Sequence, residues 1–316
     1  MRHRSPPSPD LAQAIQRGLD FLAACRMGNG SIQEPVADPL AMLTRPASLS
    51  PSERFHALAG ADIWNTVNTL ALFRRHGRDT RKLEAFLRPF LKKGTGLSYW
   101  SAREGFCCET TAAMARVANP RDRKALIAYC REKALPGGRW STFILDSAGG
   151  YDTYVTGPSV TAWMLGLLGA RDPLRARGYA HLEATLGGRP IWGIHPAFYL
   201  TPFYPAHLAA RFLPNPSVLA YTLATQAESG SWGFGDPPKG PGCALPTALA
   251  IRTLRAFPAK PRIARAIARG TTWLARAQTP EGAFPLGQAP KALWYVGKVY
   301  STCQALAALG DAGGEA

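Results

Sequence analysis

The chain has 316 residues, 46% of them hydrophobic, enough to bury a sizeable core within one domain. Its formal net charge is +16, yet no helix-turn-helix or aromatic-basic RNA motif accompanies that charge, so no nucleic acid partner is expected. No apolar run approaches the roughly 20 residues of a membrane span, no signal-peptide-type stretch opens the chain, and the six cysteines, without a CxxC, read as reduced thiols in a cytoplasmic protein.

In chain order, residues 1–10 read as a disordered tail. Helix-like stretches then alternate in pairs. The first members are expected at 11–26, 80–93, 121–134, 173–186, 215–227 and 261–278. The second are expected at 62–76, 106–119, 156–170, 201–213, 244–257 and 298–310. First members carry the charge, as in Arg81-Lys-Leu-Glu-Ala-Phe-Leu-Arg, and second members are apolar, as in Val160-Thr-Ala-Trp-Met-Leu-Gly-Leu-Leu. The second members should therefore be buried on most sides. Residues 35–52, rich in Pro and Ser, form a long loop inside the first pair, and 311–316 read as another disordered tail. Residues 11–310 are expected to be a single domain.

One phrase joins the pairs. It is clearest as Arg269-Gly270-Thr-Thr-Trp273-Leu274-x3-Gln278-x3-Gly282-Ala-Phe284, and its second half recurs as Gln226-Ala-Glu-Ser-Gly230-Ser-Trp232. Nearly all of it returns at the start, as Arg17-Gly18-Leu-Asp-Phe21-Leu22-x3-Arg26-x3-Gly30, with Arg26 in place of Gln. Weaker Gly/Trp turns stand at Tyr99-Trp100, Trp140 and Trp192, so that landmarks at 100, 140, 192, 232 and 284 are spaced by 40, 52, 40 and 52 residues. Each phrase reads as a helix and its end: the Gly takes positive φ, the aromatic folds back over the last turn, and the Gln amide meets unpaired backbone groups. A staple between successive helices is the expected result, repeated along the chain.

The phrase resembles the QW motif of the squalene and oxidosqualene cyclases, found more loosely in the β subunits of protein prenyltransferases. The resemblance implies an all-α fold, an α6–α6 toroid of twelve helices whose second helices form an inner ring around a cavity. The motif's role is structural, so it does not select a reaction.

The sharpest chemical signal is Gly105-Phe106-Cys107-Cys108-Glu109-Thr110-Thr111-Ala112-Ala113, at the start of a second helix. It resembles the acid motifs of protonation-initiated (class II) terpene cyclases, and Glu109 falls on the position of their proton-donating Asp. Cys107 and Thr110 stand where the hopene type has flanking carboxylates. Protonating an alkene requires an un-ionised acid in a dry cavity, which burial favours and hydrogen bonds to the anion make more acidic. Cys108, Thr110, Tyr99 and His195 are the candidate hydrogen-bond partners. The plainer reading is a helix N-terminal Glu favoured by the macrodipole. Asp152 is either a second acid or a turn residue. Trp64, Tyr99, Trp100, Phe106, Tyr154, Tyr199, Tyr204, Trp294 and Tyr300 cluster at the starts of second helices, as walls for a carbocation or as ordinary core.

The resemblance implies a class II terpene cyclase-like protein that cyclises a linear isoprenoid, alkene or epoxide, with no cofactor and no metal. One alternative is a non-catalytic toroid that binds a lipid or isoprenoid, or serves as a partner subunit. A third reading, a prenyltransferase-type subunit, would place zinc on Cys107, Cys108 and Glu109 with His195 or His207, an order that departs from that family's Asp-x-Cys pair and later His. A Cys–Gln thioester of the complement type is excluded, because Thr110 stands three residues after Cys107. Since class II cyclases pair this barrel with another, a second barrel or subunit is a candidate partner. The basic exterior reads either as solvated charge or as peripheral attachment to the anionic inner face of a membrane.

Overall fold

The structure, a computed structural model, describes residues 9–34, 62–91, 96–99, 106–144, 157–193, 201–286 and 297–310. The 35–52 loop, residues 1–8 and 311–316 of the two tails, and the site candidates Trp100, Asp152, Tyr154, His195, Tyr199 and Trp294 lie outside the described residues. Among the described residues are twelve helices, in the expected alternation: α1 (Pro9–Ala24), α2 (Asp62–Arg75), α3 (Arg81–Leu91), α4 (Cys108–Val117), α5 (Pro120–Glu132), α6 (Pro158–Leu165), α7 (Pro173–Leu186), α8 (Phe203–Ala209), α9 (Pro216–Ala224), α10 (Ala244–Arg255), α11 (Pro261–Arg276) and α12 (Lys298–Gly310). Two short antiparallel pairs accompany them, β1 (Phe106–Cys107) with β2 (Phe143–Ile144) and β3 (Phe234–Gly235) with β4 (Pro238–Lys239). The fold is all-α.

The chain divides into two compact units, one of residues 1–24 with 186–316 and the other of residues 25–185. In both, the even-numbered helices are the buried ones. Cys108 to Ala115 of α4 are buried without a break, and α10 and α12 bury most of their length. By contrast α11 buries only Ile263, Ala266, Gly270 and Leu274, a single stripe with charge on the opposite side. Local sequence sets the helix starts: Asn119 and Asn215 cap α5 and α9 through their side chains, each followed by Pro at the first helical position.

The repeated phrase folds as a staple. Gln226 Nε2 donates to the carbonyls of Gly230 and Ala266 (both 2.9 Å), and Gln278 Nε2 donates to those of Gly282 (2.9 Å) and Ala14 (2.8 Å). Gly230 and Gly282 have φ of 95° and 90°, and a Cβ at Gly282 would lie 2.2 Å from the Arg17 carbonyl oxygen. The indoles of Trp140 and Trp232 donate to carbonyls ten residues upstream, those of Cys130 (2.7 Å) and Thr222 (2.9 Å). A threonine on each following inner helix completes the joint. The amides of Trp232 and Phe284 donate to Thr247 Oγ1 and Thr302 Oγ1 (both 3.0 Å), as Ile32 does to Thr66 (2.9 Å). In the second pair the Leu97 amide makes this bond, to Thr111 Oγ1 (2.8 Å).

Candidate active site

Helix α4 begins at a tied-down end. The Cys107 amide donates to Leu97 O (2.8 Å) and that of Cys108 to Thr142 O (2.9 Å), while Cys107 Sγ caps the helix by accepting from the Thr110 amide (3.5 Å). The Trp64 amide donates to Tyr99 O (3.3 Å). The short segment 96–99 thus holds the first turns of α2 and α4 at the same end of their unit.

The threonine joints fix which way each inner helix faces. A helix turns about 100° per residue, so the side chain two positions before the joint lies about 160° away from it. Those positions are Trp64 before Thr66, Glu109 before Thr111 and Tyr300 before Thr302, each on the side of its helix away from the joint. Glu109 is a buried carboxyl, 5% exposed.

Aromatic rings cluster in the same unit. Trp64 stacks on Tyr99 with centroids 5.6 Å apart, and Trp163 of α6 meets Trp64 edge-on at 6.2 Å. Helix α4 packs against both α2 and α6, the helices that carry the two indoles. The guanidinium carbon of Arg116 lies 4.2 Å from the centre of a Trp163 ring.

Burial dominates the electrostatics. It pushes the Cys107 thiol up to about 12, with the neighbouring Glu109 charge adding to the effect. Burial, then the nearby Cys130, Cys107 and Glu109, hold Cys108 well above the usual thiol range. Both are neutral thiols at physiological pH.

The structure brings Trp64, Tyr99, Cys108, Glu109 and Thr110 together in one unit. Phe106 turns instead to Tyr129 of α5, edge-on at 5.3 Å. Tyr204 and Tyr300 are buried in the other unit. His207 points Nδ1 at the carbonyls of Tyr204 (2.6 Å) and Phe203 (3.2 Å), and burial, with Arg252 nearby, holds its pKa well below the ordinary value. It is therefore a neutral imidazole donating to backbone. Among the described residues no three His, Cys, Asp or Glu side chains group to hold a metal. Three members of this region were not singled out from sequence: Trp163, Arg116 and the buried Asp62, whose Oδ1 accepts from the Ile63 amide (2.9 Å). The phase of Thr66 would have found the last, since Asp62 precedes Thr66 by the same four residues that separate Cys107 from Thr111.

Neither a family model nor a curated protein matches the chain. Solved structures do. The type II terpene cyclase MstE from Scytonema superposes with a TM-score of 0.68 at 16% identity, over 96% of this chain and 98% of that one. The chain has the type II terpene cyclase fold. A protein from Actinoplanes matches equally well (TM-score 0.68, 18% identity, 96% of this chain and 100% of that chain). The ent-copalyl diphosphate synthase from Streptomyces platensis matches at 0.56 and 18% identity, over 98% of this chain and 70% of that chain. MstE has also been solved with geranylgeranyl dihydroxybenzoate as substrate and with merosterolic acid A as product. The type II cyclase fold is the α/α toroid class implied by the QW phrases.

Proposed function

We propose that this protein is an isoprenoid cyclase of the protonation-initiated type, with Glu109 as the acid. The observation that carries the reading is a buried carboxyl in the first turn of α4, whose packing neighbours α2 and α6 carry the Trp64–Trp163 pair. In the proposed reaction the Glu109 O–H transfers its proton to a terminal alkene carbon, whose π electrons form the new C–H bond. The tertiary cation left behind is attacked by the next alkene, which closes a ring through a new C–C bond. Loss of a proton to a base ends the sequence, and the carboxyl is reprotonated. Indole and phenol faces stabilise the cation by about 0.5–2 kcal/mol each. Neutral, buried Cys107 and Cys108 keep the surroundings dry without adding charge. An epoxide would be opened by protonation on oxygen in the same geometry.

The isoprenoid substrate of MstE supports an isoprenoid substrate for this chain. That cyclase is matched over 98% of its chain, which supports activity without a second barrel. No helix among the described residues is long and apolar enough to cross a membrane. The net charge of +16 supports contact with an anionic membrane surface, where a hydrophobic substrate would be collected.

The test is product analysis by gas chromatography–mass spectrometry, using wild-type and Glu109→Gln protein. Detergent-dispersed squalene, oxidosqualene, linear prenyl diphosphates and geranylgeranyl dihydroxybenzoate would be the substrates. The expected outcome is a cyclic product from the wild type and a loss of at least about 100-fold in the variant. Equal product from both would transfer the acid role to Asp152 or Asp62. No product from folded protein would favour the non-catalytic isoprenoid-binding reading.

A further inference from the structure

Helix α11 differs from the other outer helices in its charge. Among the described residues, α1, α3, α5 and α7 mix acidic with basic side chains, and α9 carries neither. Helix α11 holds Arg262, Arg265, Arg269 and Arg276 and no acid, so +4 of the chain's +16 sits on 16 residues. All four arginines are exposed. At about 100° per residue they fall within an arc of about 60° and follow the helix for about 21 Å. The buried stripe of Ile263, Ala266, Gly270 and Leu274 is centred about 110° round the helix from them. Helix α11 is thus held by its unit on one side and open along the arginines.

Elsewhere basic charge is met by acids: Arg74 pairs with Glu84 (2.9 Å), Arg81 with Asp79 (2.9 Å) and Arg131 with Asp172 (2.7 Å). Arg262, Arg265 and Arg276 form no ion pair among the described residues. Arg269 donates to the carbonyls of Ala227 (2.9 Å) and Glu228 (2.6 Å), neutral partners that leave its charge in place. Beside the stripe the exposed side chains are those of Ala264, Ala268 and Thr272, short and uncharged, so they do not hold a flat surface away. Guanidinium forks pair with phosphate oxygens two at a time. No aromatic stands among the exposed residues of α11 to stack on bases, which favours phospholipid over nucleic acid.

We infer that the arginine stripe of α11 docks this protein on an anionic phospholipid surface. The helix does not insert, because its apolar side is already buried against its own unit. The choice of a lipid surface rests on the isoprenoid-cyclase reading, which gives the protein a substrate that dissolves in bilayers. The docking itself needs no catalysis.

Co-sedimentation of the whole chain with phosphatidylcholine vesicles, with and without phosphatidylserine, tests this. The wild type is expected on the anionic vesicles and not on the neutral ones. Raising salt from about 0.1 to 1 M should release it, as the screening length falls from about 10 to 3 Å. Each arginine should contribute about 5-fold to partitioning, so the double variant Arg262→Gln, Arg265→Gln should bind about 25-fold more weakly. Arg121→Gln with Arg123→Gln, on α5, removes the same charge and should change binding by less than about 3-fold. A thermal melt establishes that each variant is folded. Equal losses in the two double variants overturn the inference, since net charge alone would then explain the attraction. A wild type that ignores phosphatidylserine, or that stays on the vesicles at about 1 M salt, also overturns it. So does duplex DNA that binds more tightly than the vesicles and loses that binding in the α11 variant. The α11 variant should cyclise detergent-dispersed substrate at the wild-type rate, so loss of cyclisation in Glu109→Gln and loss of vesicle binding here fail or succeed separately.

Discussion

Gln278, at the end of the last outer helix, donates its amide to the carbonyl of Ala14 in the first, 264 residues away along the chain (2.8 Å). Arg17 completes the joint by donating twice to Gln278 Oε1 (3.1 and 2.8 Å). One side chain therefore ties the two ends of the sequence together. Each such bond is worth about 1 kcal/mol net. Gln278→Ala should lower stability by about 1–3 kcal/mol, read as a fall in the urea midpoint at constant slope. An unchanged midpoint would remove the staple from the account of stability.

The glycines of the phrase are predicted to be irreplaceable for two separable reasons. Gly282 has φ of 90°, and a Cβ there would lie 2.2 Å from the Arg17 carbonyl oxygen. Gly77 also has positive φ (64°), but a Cβ there would meet nothing within 4 Å. Gly77→Ala should cost only the backbone strain, about 1 kcal/mol, and Gly282→Ala clearly more. Equal losses in thermal unfolding would show that the close approach to Arg17 relaxes without cost.

The repeat was legible because each staple uses residues with few substitutes: a Gly with positive φ, an aromatic that fills the last turn and a Gln that spans two helices. The second pair hid its register, since there Leu97 makes the amide bond to threonine that Trp232 and Phe284 make in theirs. The threonine joint, Thr66, Thr111, Thr247 and Thr302, carries that register more faithfully than the tryptophans do. Glu109 was legible as an acid at the start of an inner helix. Trp163 was not, because its place beside α4 arises from the packing of α6 against α4. A run such as Val160-Thr-Ala-Trp-Met-Leu reads only as buried helix until the phase of Thr161 is known.

That phase makes its own prediction. Thr161 occupies the joint position in α6, yet its buried hydroxyl has no hydrogen-bond partner among the described residues, whereas Thr247 accepts from the Trp232 amide. Replacing a paired hydroxyl strands a buried N–H, at about 1–3 kcal/mol, while removing an unpaired one is neutral or favourable. Thr247→Val should destabilise the fold and Thr161→Val should not. Denaturation of the two variants side by side decides it, and a loss in Thr161→Val matching that in Thr247→Val would refute the assignment.

Alkaline pH should weaken the fold through its thiols. Burial is the first cause of the rise to about 12 at Cys107, Cys130 and Cys243, from an ordinary value of 9.0. Between about pH 9 and 12 the folded chain keeps protons that the unfolded chain releases, so stability is full below 9 and falls as pH rises. Each thiol contributes about 1.4 kcal/mol of loss per pH unit in that window. His207 acts at the other limit. Its depressed pKa keeps it neutral when folded, so stability is lost as pH falls below about 6.5, where the unfolded imidazole gains a proton. Urea midpoints for wild type and Cys130→Ala at pH 8 and pH 10 should converge at the higher pH, and a constant gap between them would exclude the thiol contribution.

The aromatic pair carries the last prediction. Trp64 is sandwiched between the stacked Tyr99 ring and the edge of Trp163, and Arg116 rests on Trp163. In the proposed reaction the cation formed by Glu109 meets Trp64. Trp163 shares its π density with Arg116, so its added stabilisation of a second cation is smaller. Trp64→Leu should therefore lower kcat by about 2- to 30-fold, the span of one cation–π contact, with Trp64→Phe retaining most of the rate. Trp163→Leu should lower kcat less. Steady-state kinetics separates the two. A larger kcat effect at Trp163 than at Trp64 would place the developing charge deeper along α4 than the geometry of Glu109 requires.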